Sequence, residues 1–287
     1  MRRVPPPLLV LGAAGTVQCS AAIAVKLFDR LGPSGTVLLR VAFGAVLLVV
    51  LWRPRVRGVG RRDLAMAVVF GLTLAGLNLT FYEAIDRIPL GIAVTIEFAG
   101  PLAVAVAGSR RWIHAVWVVL AAAGILLLAR GGGHADPTGV AFALAAATLW
   151  AAYIVLSQRV GRVFPRGDGL ALALVVGGLA LLPVGVAGAG SDLLAPGPLA
   201  AGVALGLLGS AIPYSLELEA LRRMPARVFG ILLSLDPVIA ALSGFLLLGQ
   251  DLRGRELGGI ALVVAASVGA TVSTESGEMG EGPVPLA

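Results

Sequence analysis

Long apolar stretches separated by short polar breaks run almost from one end of the chain to the other. A helix that crosses a hydrocarbon core needs about 20 apolar residues. Ten stretches approach that length: 8–28, 33–52, 64–85, 90–109, 112–129, 138–158, 169–190, 197–219, 226–248 and 256–273. No convincing strand pattern lies between them. The expected fold class is therefore an all-α membrane protein with ten transmembrane helices.

Within this pattern one polar segment occurs twice. Tyr82-Glu83-Ala84-Ile85-Asp86-Arg87-Ile88-Pro89 returns 136 residues later as Leu218-Glu219-Ala220-Leu221-Arg222-Arg223-Met224-Pro225. In each copy the proline opens an apolar stretch, and a second proline follows twelve residues on, at Pro101 and Pro237. Five spans per copy is an odd number, so the second copy inverts relative to the first. The expected organisation is a first five-helix repeat over 1–133, a second over 137–274, and a disordered cytoplasmic tail over 275–287. The turn-rich stretch from Arg130 to Pro137 joins the halves. Inverted repeats with interrupted helices are the architecture of secondary transporters, whose sites lie near the bilayer midplane between the halves.

Charge refines the picture. The chain has 287 residues, 58% of them hydrophobic and only 13% charged, with a mean hydropathy of +0.95. That is too apolar for an ordinary soluble domain. With the N-terminus inside, fifteen basic residues face the cytoplasm: Arg2, Arg3, Arg53, Arg55, Arg57, Arg61, Arg62, Arg110, Arg111, Arg159, Arg162, Arg166, Arg222, Arg223 and Arg227. Six face out: Lys26, Arg30, Arg87, Arg130, Arg253 and Arg255. This asymmetry puts both termini inside and accounts for the sequence pI of 10.6 without a nucleic-acid partner. Cys19 is the only cysteine, which excludes an internal disulfide and reads as a small helix residue. The first stretch lacks a clear cleavage site and reads as a retained span rather than a signal peptide. His114 and His134 have no Cys or His partners in metal-ligand spacing, and no phosphate-cradling loop is present, so no cofactor or metal is expected.

Charged groups inside a membrane are costly and therefore informative. Arg40, Glu97 and Asp236 sit near the centres of spans two, four and nine. A buried ion pair that only locks helices would explain Arg40 with one carboxylate. One cation cannot neutralise two, and a carboxyl that gains and loses a proton in a cavity is what proton-coupled transport requires. Gly100 and Pro101 follow Glu97, and Pro237 follows Asp236. Proline removes a backbone donor and frees the carbonyl a turn earlier, so these spans should break and offer polar backbone to a ligand. A kink serving only packing is the alternative. Further out lie Gln18, Asn78, Tyr82, Trp150, Tyr153, Tyr214 and Glu217, which either line the same cavity or pack ordinarily. Glu83 and Glu219 precede Arg87 and Arg223 by one helical turn, a spacing that makes boundary ion pairs. Gly202-x-x-x-Gly206 and Gly254-x-x-x-Gly258 have the spacing of close helix contacts.

At these residues the chain resembles the EamA-type branch of the drug/metabolite transporter superfamily. The likeness rests on the ten spans, the five-plus-five repeat and the arginine of span two. The run Arg87-Ile88-Pro89-Leu90-Gly91-Ile92-Ala93-Val94-Thr95-Ile96-Glu97-Phe98-Ala99-Gly100-Pro101-Leu102-Ala103 resembles the threonine/homoserine exporter subgroup. The resemblance implies a multi-pass transporter of the bacterial inner membrane, monomeric or homodimeric, exporting amino acids or similar small metabolites against protons. A carboxylate such as Glu97 or Asp236 would receive the ammonium, and Arg40 or a broken-helix N-terminus the carboxylate. Export of drugs or nucleobases by the same fold, or lipid handling, are the competing readings. An enzyme would need a convergent nucleophile, base or metal site, and the spans contain none.

Overall fold

The computed structural model describes residues 4–54, 59–107, 112–129, 136–164, 167–224 and 226–278. The joint at 130–135, His134, Pro225 and the last part of the expected tail, 279–287, lie outside the described residues. Among those described, regular structure is helical throughout: α1 (Pro6–Val25), α2 (Phe28–Trp52), α3 (Arg61–Arg87), α4 (Leu90–Glu97), α5 (Ala99–Ala107), α6 (Ile113–Ala129), α7 (Pro137–Val163), α8 (Asp168–Ala189), α9 (Pro196–Gly206), α10 (Ile212–Leu221), α11 (Ala226–Leu233), α12 (Asp236–Leu248) and α13 (Gly254–Glu278).

Local chemistry sets many of the ends. Pro6, Pro137 and Pro196 occupy first helical positions, where the missing N–H is no loss. Asp136 caps α7 by accepting from the Thr138 N–H at 3.1 Å. The helical part of α2 after its bend and α8 each follow a glycine with positive φ, Gly32 at 64° and Gly167 at 106°. A 3₁₀ turn (Gly190–Leu194) follows α8. A π turn (Leu207–Ala211) joins α9 to α10 into one continuous apolar segment.

Among the described residues, eight segments are long and apolar enough to cross a membrane: Pro6–Val25, Phe28–Trp52, Arg61–Arg87, Pro137–Val163, Asp168–Leu194, Pro196–Leu221, Val228–Leu248 and Gly254–Ser273. Two shorter apolar helices, Leu90–Val104 and Ala115–Leu128, occupy the places expected of spans four and five. The outer surface carries Val50, Val119, Leu179, Phe245 and Leu246, each more than half exposed. Such a coat is the inverse of a water-soluble surface and marks a multi-pass membrane protein.

Helix α3 packs along α7 and α8, and α2 packs along α8 and α9. Helix α1 lies against α10, α12 and the π turn, α4 against α12, and α6 against α13. The buried centre gathers Leu31, Leu39, Leu48, Leu74, Tyr82, Ile92, Ile96 and Leu174. Gly202 and Gly206 do make a close contact, against Phe43 and the backbone of Gly44 on α2. Gly254 and Gly258 do not form the expected seam. Their place is taken by Gly259, which lies against the Gly124 carbonyl and Leu128 of α6, because that register points a different face of α13 inward.

Gln250, in the turn after α12, reaches across to α4 and accepts from the Leu90 N–H at 3.0 Å. This meets one of the donors that the first turn of a helix leaves unpaired. Gln250→Ala is expected to cost about 1 kcal/mol, read as a fall of roughly 2–4 °C in Tm. An unchanged melting curve would show that this cap contributes nothing.

Candidate functional site

The site is built around Arg40. It projects from the middle of α2, is buried, and donates from Nη2 to the Gly209 carbonyl of the π turn at 2.9 Å. Its guanidinium carbon lies 5.6 Å from the centre of the Tyr82 ring on α3, within cation–π range. Glu97, Tyr82 and Tyr214 all act electrostatically on Arg40, so α2, α3, α4 and α10 converge here.

Both mid-span acids stand at helix breaks. Glu97 is the last residue of α4, and the chain bends at Phe98 before α5 begins at Ala99. Pro101 brings no N–H for the Glu97 carbonyl four residues earlier, which explains why one continuous helix does not form. Asp236 is the first residue of α12, after a break at Ser234 and Leu235. Pro237 occupies the next position, and the carboxylate at the helix N-terminus opposes the positive end of the helix dipole. Glu97 and Asp236 are each 8% exposed and act on one another electrostatically. Gly100 brings the start of α5 hard against α7: a Cβ there would lie 2.2 Å from the Ala147 carbonyl oxygen.

Gln18, on α1, faces Asp236. Glu217 on α10 is also in the field of Asp236, and Tyr153 on α7 is in the field of Tyr214 and Glu217. The structure therefore gathers Arg40, Glu97, Asp236, Gln18, Tyr214, Glu217 and Tyr153 into one polar region. Asn78 is buried, but its Nδ2 donates to the Leu74 carbonyl of its own helix at 2.8 Å. Trp150 stands edge-on to Phe98 at 5.3 Å and so packs against the break after Glu97. Tyr153 stacks on Phe70 at 5.1 Å. The repeat-related pairs behave as boundary ion pairs: Arg87 Nη1 meets Glu83 Oε2 at 2.6 Å, and Arg223 pairs with Glu219.

Among the described residues, the buried Gln18 Oε1 and Asp236 Oδ1 lack a partner in hydrogen-bond geometry, as does Tyr82 Oη, which lies in the field of the Arg40 guanidinium. Buried polar atoms are normally paired, and all three belong to this region. Two apolar clefts, of about 600 Å³ between α12 and α13 and about 380 Å³ between α2 and α8, lie on the outer faces away from these groups. Among the described residues no group of three or more His, Cys, Asp or Glu is placed to hold a metal.

Several contributors escape a reading of the sequence alone. Gly209 and Ser20 lie at the Arg40 anchor, and neither stands out in an apolar span. The available signal is Pro213, a proline four residues beyond Gly209 and distant in sequence from either central acid.

Comparison with known proteins fits this geometry. Residues 137–272 match the EamA-like transporter family. The chain is 39% identical over 279 residues to the threonine/homoserine exporter RhtA of Salmonella typhimurium strain LT2, covering 95% of this chain and 94% of that one. The chain belongs to the EamA-like transporter family. It is thus a transporter rather than an enzyme. The protein of the same name from Escherichia coli K12 is also 39% identical, over 280 residues, with 95% of this chain and 94% of the relative covered. A solved crystal structure superposes with a TM-score of 0.64 over 95% of this chain and 98% of its own, at 21% identity, and shows the same fold.

Proposed function

We propose that this protein exports threonine, homoserine or closely similar small amino acids across a bacterial inner membrane in exchange for protons. The observation that carries the substrate class is the 39% identity, over 95% of the chain, to proteins named threonine/homoserine exporters. The polar region supports a zwitterion. Arg40 offers charge-assisted donors to a carboxylate, and Glu97 and Asp236 offer acceptors to an ammonium.

The working architecture is ten spans in two inverted repeats, 1–133 and 137–274, with both termini in the cytoplasm. The packing supports it. Exchanging each element for its counterpart in the other half converts α3 against α7 into α10 against α1, α3 against α8 into α9 against α2, α4 against α7 into α11 against α1, and α5 against α7 into α12 against α1. Each of these contacts is present. The contacts α2 with α8 and α6 with α13 map onto themselves. The positive-φ glycines before the second span of each half correspond as well.

In the proposed cycle the substrate enters from the cytoplasm between the halves. Glu97 gives up its proton as the ammonium arrives, and Arg40 orients the carboxylate. The halves rock to open the site outward, with the breaks at Phe98 and Ser234–Leu235 as flexing points. The substrate leaves, and an external proton resets Glu97. Asp236 shapes the second-half gate. Reconstituted protein should show saturable counterflow of labelled threonine that homoserine competes and a pH gradient drives. Folded protein that exchanges no threonine would remove this substrate class and leave only the family.

A further inference from the structure

We propose that Pro213 and Gly209 form a cradle that positions Arg40: the proline releases a backbone carbonyl in the π turn, and that carbonyl holds the guanidinium. In a regular helix the Gly209 carbonyl would accept from the N–H of residue 213. That residue is proline and has no N–H to give. The helix widens here, so that the Ile212 N–H reaches back to the Leu207 carbonyl. A backbone carbonyl at membrane depth needs a partner, and Arg40 Nη2 supplies it at 2.9 Å. The benefit is mutual, because a buried guanidinium also needs acceptors.

Glycine is required at the anchor. A Cβ on residue 209 would lie 2.7 Å from Arg40 Nε and 2.6 Å from Ser20 Oγ. Ser20 donates to the Leu205 carbonyl at 3.4 Å and so ties α1 to the same segment. Both obstructing atoms belong to side chains, so an added methyl would push Arg40 aside rather than unfold the helix. With Nη2 held, the rest of the guanidinium is kept against Tyr82 and toward Glu97 and Tyr214. The first half has no such proline: the position 136 residues before Pro213 is Leu77. The cradle is thus a local departure from the repeat, placed opposite the central arginine. Its consequence for transport rests on the reading of Arg40 as the group that receives the substrate's carboxylate.

Two measurements test this, the first without any ligand. Arg40→Met removes the donor and strands the Gly209 carbonyl. It should lower Tm by roughly 5 °C. In a Pro213→Ala background the new N–H can take that carbonyl, so at least half of the loss should disappear. Equal losses in the two backgrounds would overturn the cradle, whatever the substrate proves to be. The second measurement is threonine affinity from stabilisation of the purified protein. Gly209→Ala should weaken binding roughly tenfold and lower Tm no further than Arg40→Met does, and Arg40→Met/Gly209→Ala should bind no worse than Arg40→Met. Additive losses would mean that residue 209 does not act through Arg40. Wild-type affinity in Arg40→Met would refute the assigned role of Arg40, while the thermal cycle would still decide the cradle.

Discussion

Glu97→Gln should lower threonine exchange roughly 10- to 100-fold, the loss expected when one charge-assisted hydrogen bond of about 1.5–3 kcal/mol is removed. It should also leave the residual exchange indifferent to a pH gradient. The side chain keeps its size and can still hydrogen-bond, so the break after α4 and its contacts should survive. What disappears is a group that can release one proton and accept another. Glu97 is well placed for that exchange: it is buried, ends α4 at a helix break, and lies in the fields of both Arg40 and Asp236. The decisive assay is exchange in liposomes with and without an imposed gradient, paired with a melting curve to confirm folding. A variant that is still accelerated by the gradient would move the coupling role to another acid, with Asp236 and Glu217 the next to replace by the corresponding amides.

Gly100→Ala should be the most damaging single methyl in the first half. The added Cβ would sit 2.2 Å from the Ala147 carbonyl oxygen, 3.0 Å from its carbon and 3.2 Å from the Ala151 nitrogen. These are backbone atoms of α7 and cannot rotate out of the way. Helix α5 would have to move off α7, opening the packing beside Glu97 and Trp150. Overpacking of this kind costs about 1–3 kcal/mol, or roughly 2–12 °C in Tm. Gly12→Ala provides the contrast. Its nearest neighbour would be Leu216 Cδ1 at 3.7 Å, an ordinary contact, and alanine in a helix interior gains about 0.5–1 kcal/mol over glycine. Thermal unfolding of both variants in one detergent separates them. A Gly100→Ala protein that melts like wild type would show that α5 and α7 are not in backbone contact.

Much of the helical layout is readable directly from the chain. The eight long segments and the two shorter ones fall within a few residues of the expected stretches, because the cost of placing polar backbone and side chains in hydrocarbon is paid segment by segment. The breaks at Phe98 and Ser234–Leu235 were foreshadowed by Pro101 and Pro237, since a missing N–H acts within one turn of its own residue. The Glu83–Arg87 and Glu219–Arg223 pairs follow equally from i,i+4 spacing. Central placement likewise selected Arg40, Glu97 and Asp236 as the groups to watch.

Tertiary structure decided which of these meet, and what else they meet. Tyr82 belongs to the repeated motif, yet its place under the Arg40 guanidinium depends on how α3 packs beside α2. Trp150 and Asn78 were equivalent candidates until the fold turned one toward Phe98 and satisfied the other within its own helix. Gly259, rather than Gly254 and Gly258, makes the close contact with α6, because the rotation of α13 is set by its neighbours and not by its own spacing. The Gly209 carbonyl finds its partner in a residue 169 positions away. By itself, then, the sequence determined the spans, their breaks and the charges they carry, all of which follow from interactions within one or two helical turns. The assembly of one guanidinium, its carbonyl anchor and the surrounding carboxylates was decided only by packing between helices, where the distances that govern electrostatics and hydrogen bonding are set.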